Sequence, residues 1–226
     1  MAKKLFHLGF EKSQGPERKA ELAWGLEKQA VFDRKLSERK AMLRDSLFPV
    51  LKRRTRKFIY SQTAKVKKEV KDLGVSEVHG LPLMILDVDT FIINSLPIPK
   101  EQKLKARNVL EHEVSLSMCA GRAELGMPVE RQILLRVLER AKTDFERLPK
   151  KERERHPNPK FVELAGKELD RIKRSKASHF TVAFSFVLQM KQVNSLVLRR
   201  IIGDEMTSLY AAVYSSIKYR LNRKFH

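Results

Sequence analysis

The sequence predicts an α+β fold, predominantly helical with few short strands, and three observations carry that prediction. Most of the chain repeats apolar residues at helical spacing among Lys, Arg and Glu. Near the C-terminus the run His179-Phe180-Thr181-Val182-Ala183-Phe184-Ser185-Phe186-Val187-Leu188 sets aromatic or aliphatic side chains against small polar ones, the alternation of a β-strand. Two helical stretches parted by Gly203 follow it, so the chain is expected to end in a strand-helix-turn-helix.

In chain order, Leu22, Trp24, Leu26, Ala30, Val31, Leu36, Met42 and Leu43 recur at helical spacing over residues 16–47, with Pro16 suited to a first turn. Pro49 is expected to interrupt this helix, and residues 50–70 form a strongly basic helical segment after it. Gly74 and Gly80 bracket a loop. Residues 81–94, rich in Met, Ile, Leu, Val and Phe, read as a buried strand or a strand and turn closed by Pro97 and Pro99. Residues 101–125 are helical, although 114–118 reads equally as a strand because Ser115 and Ser117 alternate with apolar neighbours.

Pro128 is expected to open a cleaner helix that ends before Pro149. The charged, proline-bearing stretch 150–159 is the expected boundary between domains, and residues 161–173 form an amphipathic helix leading into the strand. Helices over 190–202 and 207–222 complete the chain, with Gly203 as a left-handed stop and Thr207 as a cap. Three parts result: a basic helical domain with a short buried strand region over 1–149, a connector and linking helix over 150–177, and a C-terminal unit over 178–226.

Composition bounds the function. With 226 residues and 42% hydrophobic content, the chain can bury a core without disulfides or metals. Its 47 Lys plus Arg against 27 Asp plus Glu leave a net charge of +20, which points to a polyanionic partner, nucleic acid first. One cysteine, Cys119, excludes an internal disulfide and a thiolate zinc cluster. Met1-Ala2-Lys3-Lys4 precedes no secretory apolar core, and Asp87, Asp89 and prolines break the apolar region 81–99, so no membrane span is expected. The expected location is cytoplasmic, associated with the nucleoid.

Residues 178–224 resemble the ribbon-helix-helix family of DNA-binding proteins. There, a strand from each of two subunits pairs antiparallel and enters the major groove. The resemblance implies a homodimer in which Thr181 and Ser185, with His179 at the entry, read bases while Phe184 and Phe186 form the dimer core. It also implies that Gly203-Asp204, Thr207 and Ser208 face phosphate through backbone N–H groups. Two other readings of the same residues stand beside it: an internal strand with the helix pair packed on it, and a helix-turn-helix over 192–220.

Two basic clusters add phosphate contacts: Lys52, Arg53, Arg54, Arg56 and Lys57, with Phe58 and Tyr60 beside them as core aromatics, and Arg171, Lys173, Arg174 and Lys176 before the strand. Enzyme signals are poor. Asp87 and Asp89 lack a third ligand, which leaves a metal-dependent nuclease as a remote alternative; Glu111-His112-Glu113 lacks a second histidine; His7, His79, His156 and His226 offer no triad; no phosphate loop is present. No cofactor and no metal are expected. The function expected is a dimeric, sequence-specific DNA-binding transcriptional regulator without enzymatic activity, and the alternative is an RNA-binding structural subunit of a ribonucleoprotein complex.

Overall fold

Helix makes up 83% of the structure, and the sheet consists of two strands of two residues each. The α+β, ribbon-helix-helix-like expectation is therefore corrected to a mostly helical fold. The structure, a computed structural model, describes residues 16–77 and 80–225, with side chains before Asp45 described only at positions 28, 30, 31, 34, 35, 38, 41 and 42. Expectations for Met1-Ala2-Lys3-Lys4, His7, His79 and His226 lie outside the described residues, as do those for the side chains of Leu22, Trp24, Leu26, Leu36 and Leu43. The contacts divide the chain into two units, one ending at Leu47 and the other beginning at Phe48.

Helix α1 (Pro16–Asp72) runs through Pro49, where an interruption was expected. Proline inside a helix gives up one backbone hydrogen bond and costs about 3 kcal/mol. Packing supplies the offset, because Leu51, Thr55, Ile59, Thr63, Val66 and Val70 form a buried stripe directly after it. At successive fours and one three, these residues share one helix face. Thr55 and Thr63 donate their hydroxyls back to Leu51 and Ile59 carbonyls at 2.8 and 2.6 Å, so both are buried without orphaned groups. Ahead of Pro49, Ala30, Val31 and Met42 are exposed.

Residues expected as a buried strand form helix α2 (Gly80–Ser95). Its buried positions Gly80, Met84, Val88 and Ile92 fall every fourth residue with Asp89 and Ile93 beside them, whereas a strand of period two would also bury Pro82, Leu86 and Thr90, which are only half-buried. A run apolar on nearly every side carries little periodicity, and its length, greater than an ordinary strand, is what marks it as helix. Gly80 is required by close approach: a Cβ there would stand 2.8 Å from Phe225 Cε1 and 3.1 Å from Val66 Cγ1. Phe58 of α1 stacks on Phe91 of α2 with ring centroids 4.4 Å apart, so the end of α1, α2 and the chain's C-terminus share one apolar seam.

Helix α3 (Lys100–Glu124) includes 114–118, so the helical alternative holds there. Gly126, at φ 66°, turns the chain into β1 (Val129–Glu130), which occupies the place expected for the first turn after Pro128. Helices α4 (Arg131–Glu146), α5 (Lys150–Arg155) and α6 (Phe161–Arg174) follow, with α4 packed on α6. Strand β2 (His179–Phe180) pairs antiparallel with β1, Phe180 opposite Val129 and His179 opposite Glu130. Helix α7 (Phe184–Phe225) closes the chain, packed on α3, α2 and α4, with a kink at Gly203 where φ is 81°.

The expected strand 179–188 thus stops after two residues. A strand persists only where its ladder finds a partner, and β1 ends where α4 begins. From Ala183 onward the carbonyls bond ahead instead: Ala183 accepts from the N–H groups of Phe186 and Val187 at 3.0 and 3.2 Å. Burial changes period at the same point. Phe180 and Val182 are buried, Phe184 is exposed, and Val187, Met190 and Val193 are buried at helical spacing. These residues join a core with Leu116, Leu134, Leu138, Phe145, Phe161 and Ile172. Phe186 packs on Phe161 within the same chain, at 5.6 Å between centroids. Among the described residues, no helix is long and apolar enough to cross a membrane.

Candidate nucleic-acid interface

The buried stripe of α1 leaves Lys52 and Arg56 half-buried and Arg53, Arg54 and Lys57 exposed. Three helical turns later Lys65, Lys68 and Lys71 are exposed on the same helix. On a helical wheel Arg53, Lys57, Tyr60, Ala64, Lys68 and Lys71 lie along one strip, because the steps between them are threes and fours. Among the described residues, no carboxylate lies within 4.0 Å of a cation in the 52–57 run. Aromatic rings engage it: Lys52 Nζ lies 5.4 Å from the Phe48 centroid and Arg54 Cζ 5.9 Å from that of Phe91. Further along, Lys67 pairs with Glu77 at 2.5 Å.

The structure adds to this run a group that the sequence reading left out, the last turns of α7. Leu209, Val213, Ile217, Leu221 and Phe225 are buried at every fourth position, each contributing about 1.5–3 kcal/mol of apolar burial. That anchorage leaves Lys218, Tyr219, Arg220, Arg223 and Lys224 exposed. Arg220 Nη1 donates to the Tyr60 hydroxyl of α1 at 3.4 Å, and Lys224 Nζ sits 4.9 Å from the Tyr60 ring centroid. Lys67 reaches the Phe225 ring at 5.9 Å. Residues more than 150 positions apart in sequence therefore make one basic face. A signal was present, since residues 206–225 hold four cations and no acid, but nothing in the sequence placed them beside α1. Tyr60 is 59% exposed, which corrects its reading as a core aromatic; Phe58 is half-buried on Phe91.

The second predicted cluster is built differently. Arg171 donates two hydrogen bonds to Glu168 at 2.9 and 2.6 Å, and this carboxylate holds the guanidinium's pKa above its ordinary value. Lys173 pairs with Glu139 of α4 at 2.7 Å, and Arg174 lies 4.0 Å from Asp170. Lys167 pairs with Glu163 at 2.7 Å. Lys176 is exposed between α6 and β2. The open depression beside them is lined by Lys167, Asp170, Arg171, Arg174 and Ser175, so both signs of charge meet any ligand there.

The residues assigned to base reading are dispersed. His179 is in β2, its Nδ1 2.9 Å from the Ser178 hydroxyl; exposed Thr181 follows the strand; exposed Ser185 lies in the first turn of α7. Thr207 donates its hydroxyl to the Gly203 carbonyl at 2.8 Å, and Ser208 is an exposed mid-helix residue. Asp204, beside Gly203, lies 3.9 Å from Arg199. The ribbon that was to pair with a second subunit has its ladder with β1 of its own chain, so the two-chain reading element is corrected to a two-residue internal one.

Asp87 and Asp89 also diverge. Two residues apart on a helix they point about 200° from one another, leaving Asp87 exposed and Asp89 only 3% exposed. Burial pushes the Asp89 carboxyl up to about 7, opposed by the hydrogen bond it accepts from the Tyr210 hydroxyl at 2.8 Å and reinforced by the charge of Glu113. Burial likewise raises Tyr210 and the thiol of Cys119. His112, lowered by burial, shares with Glu113 a polar cluster between α3 and α7. Its Nδ1 is 3.2 Å from Asn194 Oδ1, Asn194 Nδ2 donates to Glu113 at 2.9 Å, and Lys191 pairs with Glu113 at 3.0 Å. Among the described residues, no three His, Cys, Asp or Glu side chains are grouped to hold a metal ion. Comparison with protein-family models, with curated proteins and with solved structures finds no match.

Proposed function

We propose that this chain binds nucleic acid through its phosphate backbone, without catalysis, as an RNA-binding structural subunit of a ribonucleoprotein assembly. The observation that carries the reading is the basic face joining Lys52, Arg53, Arg54, Arg56 and Lys57 of α1 to Arg220 and Lys224 of α7 through Tyr60, cations of which none, among the described residues, has a carboxylate within 4.0 Å. Cations without a carboxylate partner have no ion pair to give up when they engage phosphate, and each contact releases counterions. The choice of RNA over a regulated DNA operator follows from the strand. The ribbon expected to enter the major groove from each of two subunits is two residues long and paired within its own chain, which weakens the DNA regulator and leaves it only the helix-turn-helix alternative over 192–220. Grip on backbone shape needs no such element. A cytoplasmic setting suits the one thiol, which is buried.

The test is an equilibrium titration against single-stranded and duplex RNA and DNA at several salt concentrations, with solution mass measured in parallel. The expected outcome is tight binding with little sequence preference, a plot of log K against log salt with a slope of roughly −4 to −6 for five to eight phosphates, and a protein that is monomeric without nucleic acid. A homodimer that prefers one duplex sequence would restore the DNA regulator.

A further inference from the structure

Two tyrosines stand out on the basic face. Tyr219 is 72% exposed and Tyr60 is 59% exposed, although aromatic rings of this size ordinarily bury most of their area. Neither is loosely placed. Tyr60 follows Ile59, a buried residue of the α1 stripe, and its hydroxyl accepts the hydrogen bond from Arg220. Tyr219 and Arg220 are consecutive, between the buried anchors Ile217 and Leu221. Each ring carries a cation: Lys224 Nζ is 4.9 Å from the Tyr60 centroid and Arg223 Cζ is 5.8 Å from that of Tyr219.

We infer that Tyr60 and Tyr219 are stacking platforms for unpaired bases, so that the ligand of the basic face is single-stranded nucleic acid. The inference rests on the phosphate-binding reading above and names its substrate class. A duplex hides its base faces within the stack and offers these rings nothing, whereas a single strand presents an aromatic face at every nucleotide. The lysine and arginine over the rings are exposed and their contact is weaker than a base stack. They yield the ring to a base and stay beside it as phosphate ligands. Sequence preference is expected to be weak, since every base has a face to stack.

The experiment compares four probes on the full chain: a 12-nucleotide RNA, the same DNA sequence, an abasic DNA strand of that length, and poly-glutamate. Wild-type protein is expected to bind the base-bearing strands about 10-fold or more tighter than the abasic strand. In Tyr60→Ala and Tyr219→Ala that ratio is expected to fall about 5-fold or more, toward one, while Tyr60→Phe and Tyr219→Phe keep it. In Arg53→Ala/Lys57→Ala all nucleic-acid strands weaken together and the ratio is kept. Photocrosslinking of wild-type protein to a 5-bromouridine strand is expected to map to the two tyrosines. The stronger of the RNA and DNA arms identifies the polymer. A wild-type ratio near one, or alanine variants that keep the wild-type ratio, overturns stacking and leaves phosphate binding standing. Arginine and lysine variants that bind every strand as wild type overturn phosphate binding itself, and poly-glutamate bound as tightly as RNA replaces nucleic acid by an acidic protein.

Discussion

The face of α1 around residues 52–57 and the end of α6 around residues 167–176 are both rich in Lys and Arg, yet they differ in what surrounds those cations. At the end of α6 each of Lys167, Arg171, Lys173 and Arg174 has a carboxylate at 2.6–4.0 Å. In the α1 run none does, among the described residues, and the nearest company is aromatic. Basic count alone therefore misjudges a surface. What a phosphate meets is charge that has no partner already, because displacing an internal carboxylate returns much of the gain.

The contrast can be broken most forcefully on α1. Replacing Arg53, Arg54 and Lys57 by Ala is expected to weaken RNA binding by about 100-fold, at roughly 1 kcal/mol per phosphate contact, and to flatten the salt slope by about 2–3. The matching Arg171, Lys173 and Arg174 triple is expected to change affinity by less than about 3-fold in the same titration, since those cations meet carboxylates first. Equal losses in the two triples would erase the distinction between the faces.

The interior repeats the contrast with acids. Exposed Glu101 and Glu163 have lysine partners and are held below the usual carboxylate range, whereas Asp89 is buried with Tyr210 as its partner and titrates near 7. Between about pH 4 and 7 the folded protein keeps a proton on Asp89 that the unfolded chain releases, so this contribution is greatest below pH 4 and is lost as pH rises through 7. Asp89→Asn retains an acceptor for Tyr210 and removes the titration. It is expected to match wild type near pH 4 and to exceed it by on the order of 4 kcal/mol at pH 8, read from urea midpoints at the two pH values.

A smaller effect is expected at Asn194, which bridges His112, Glu113 and the Val109 carbonyl between α3 and α7. Asn194→Ala leaves these buried groups short of partners and is expected to lower stability by about 1–3 kcal/mol in urea unfolding at pH 7. The smallest change sharpens the comparison from the other side. Glu168→Gln with Asp170→Asn frees Arg171 and Arg174, and is expected to raise RNA affinity a few-fold at low salt while altering stability by less than about 1 kcal/mol.

Much of this was legible locally. The helical period over 161–173, the break at Gly203 and the unneutralised run at 52–57 each follow from neighbours within a few turns. The acids at the end of α6 were legible too, since Asp170 and Arg174 are four apart and Glu168 and Arg171 three apart, the spacing at which helix side chains meet. The strand at 179–188 was misread because alternation states what a segment can do as a strand, not whether a partner exists. Residues 81–94 were misread because an apolar run on all sides carries no period to choose between helix and strand.

By itself the chain determined its excess of +20, its helical majority and the clustering of cations at 52–57, since these depend on residue types and spacings along a single segment. Only the tertiary structure decided that Tyr60 faces outward, that Arg220 and Lys224 join it, and that Phe180 pairs inside its own subunit. Those facts turn on which distant segments meet. Val66 of α1 and Phe225 of α7 are both buried where they close on Gly80 of α2, and no local pattern encodes that meeting.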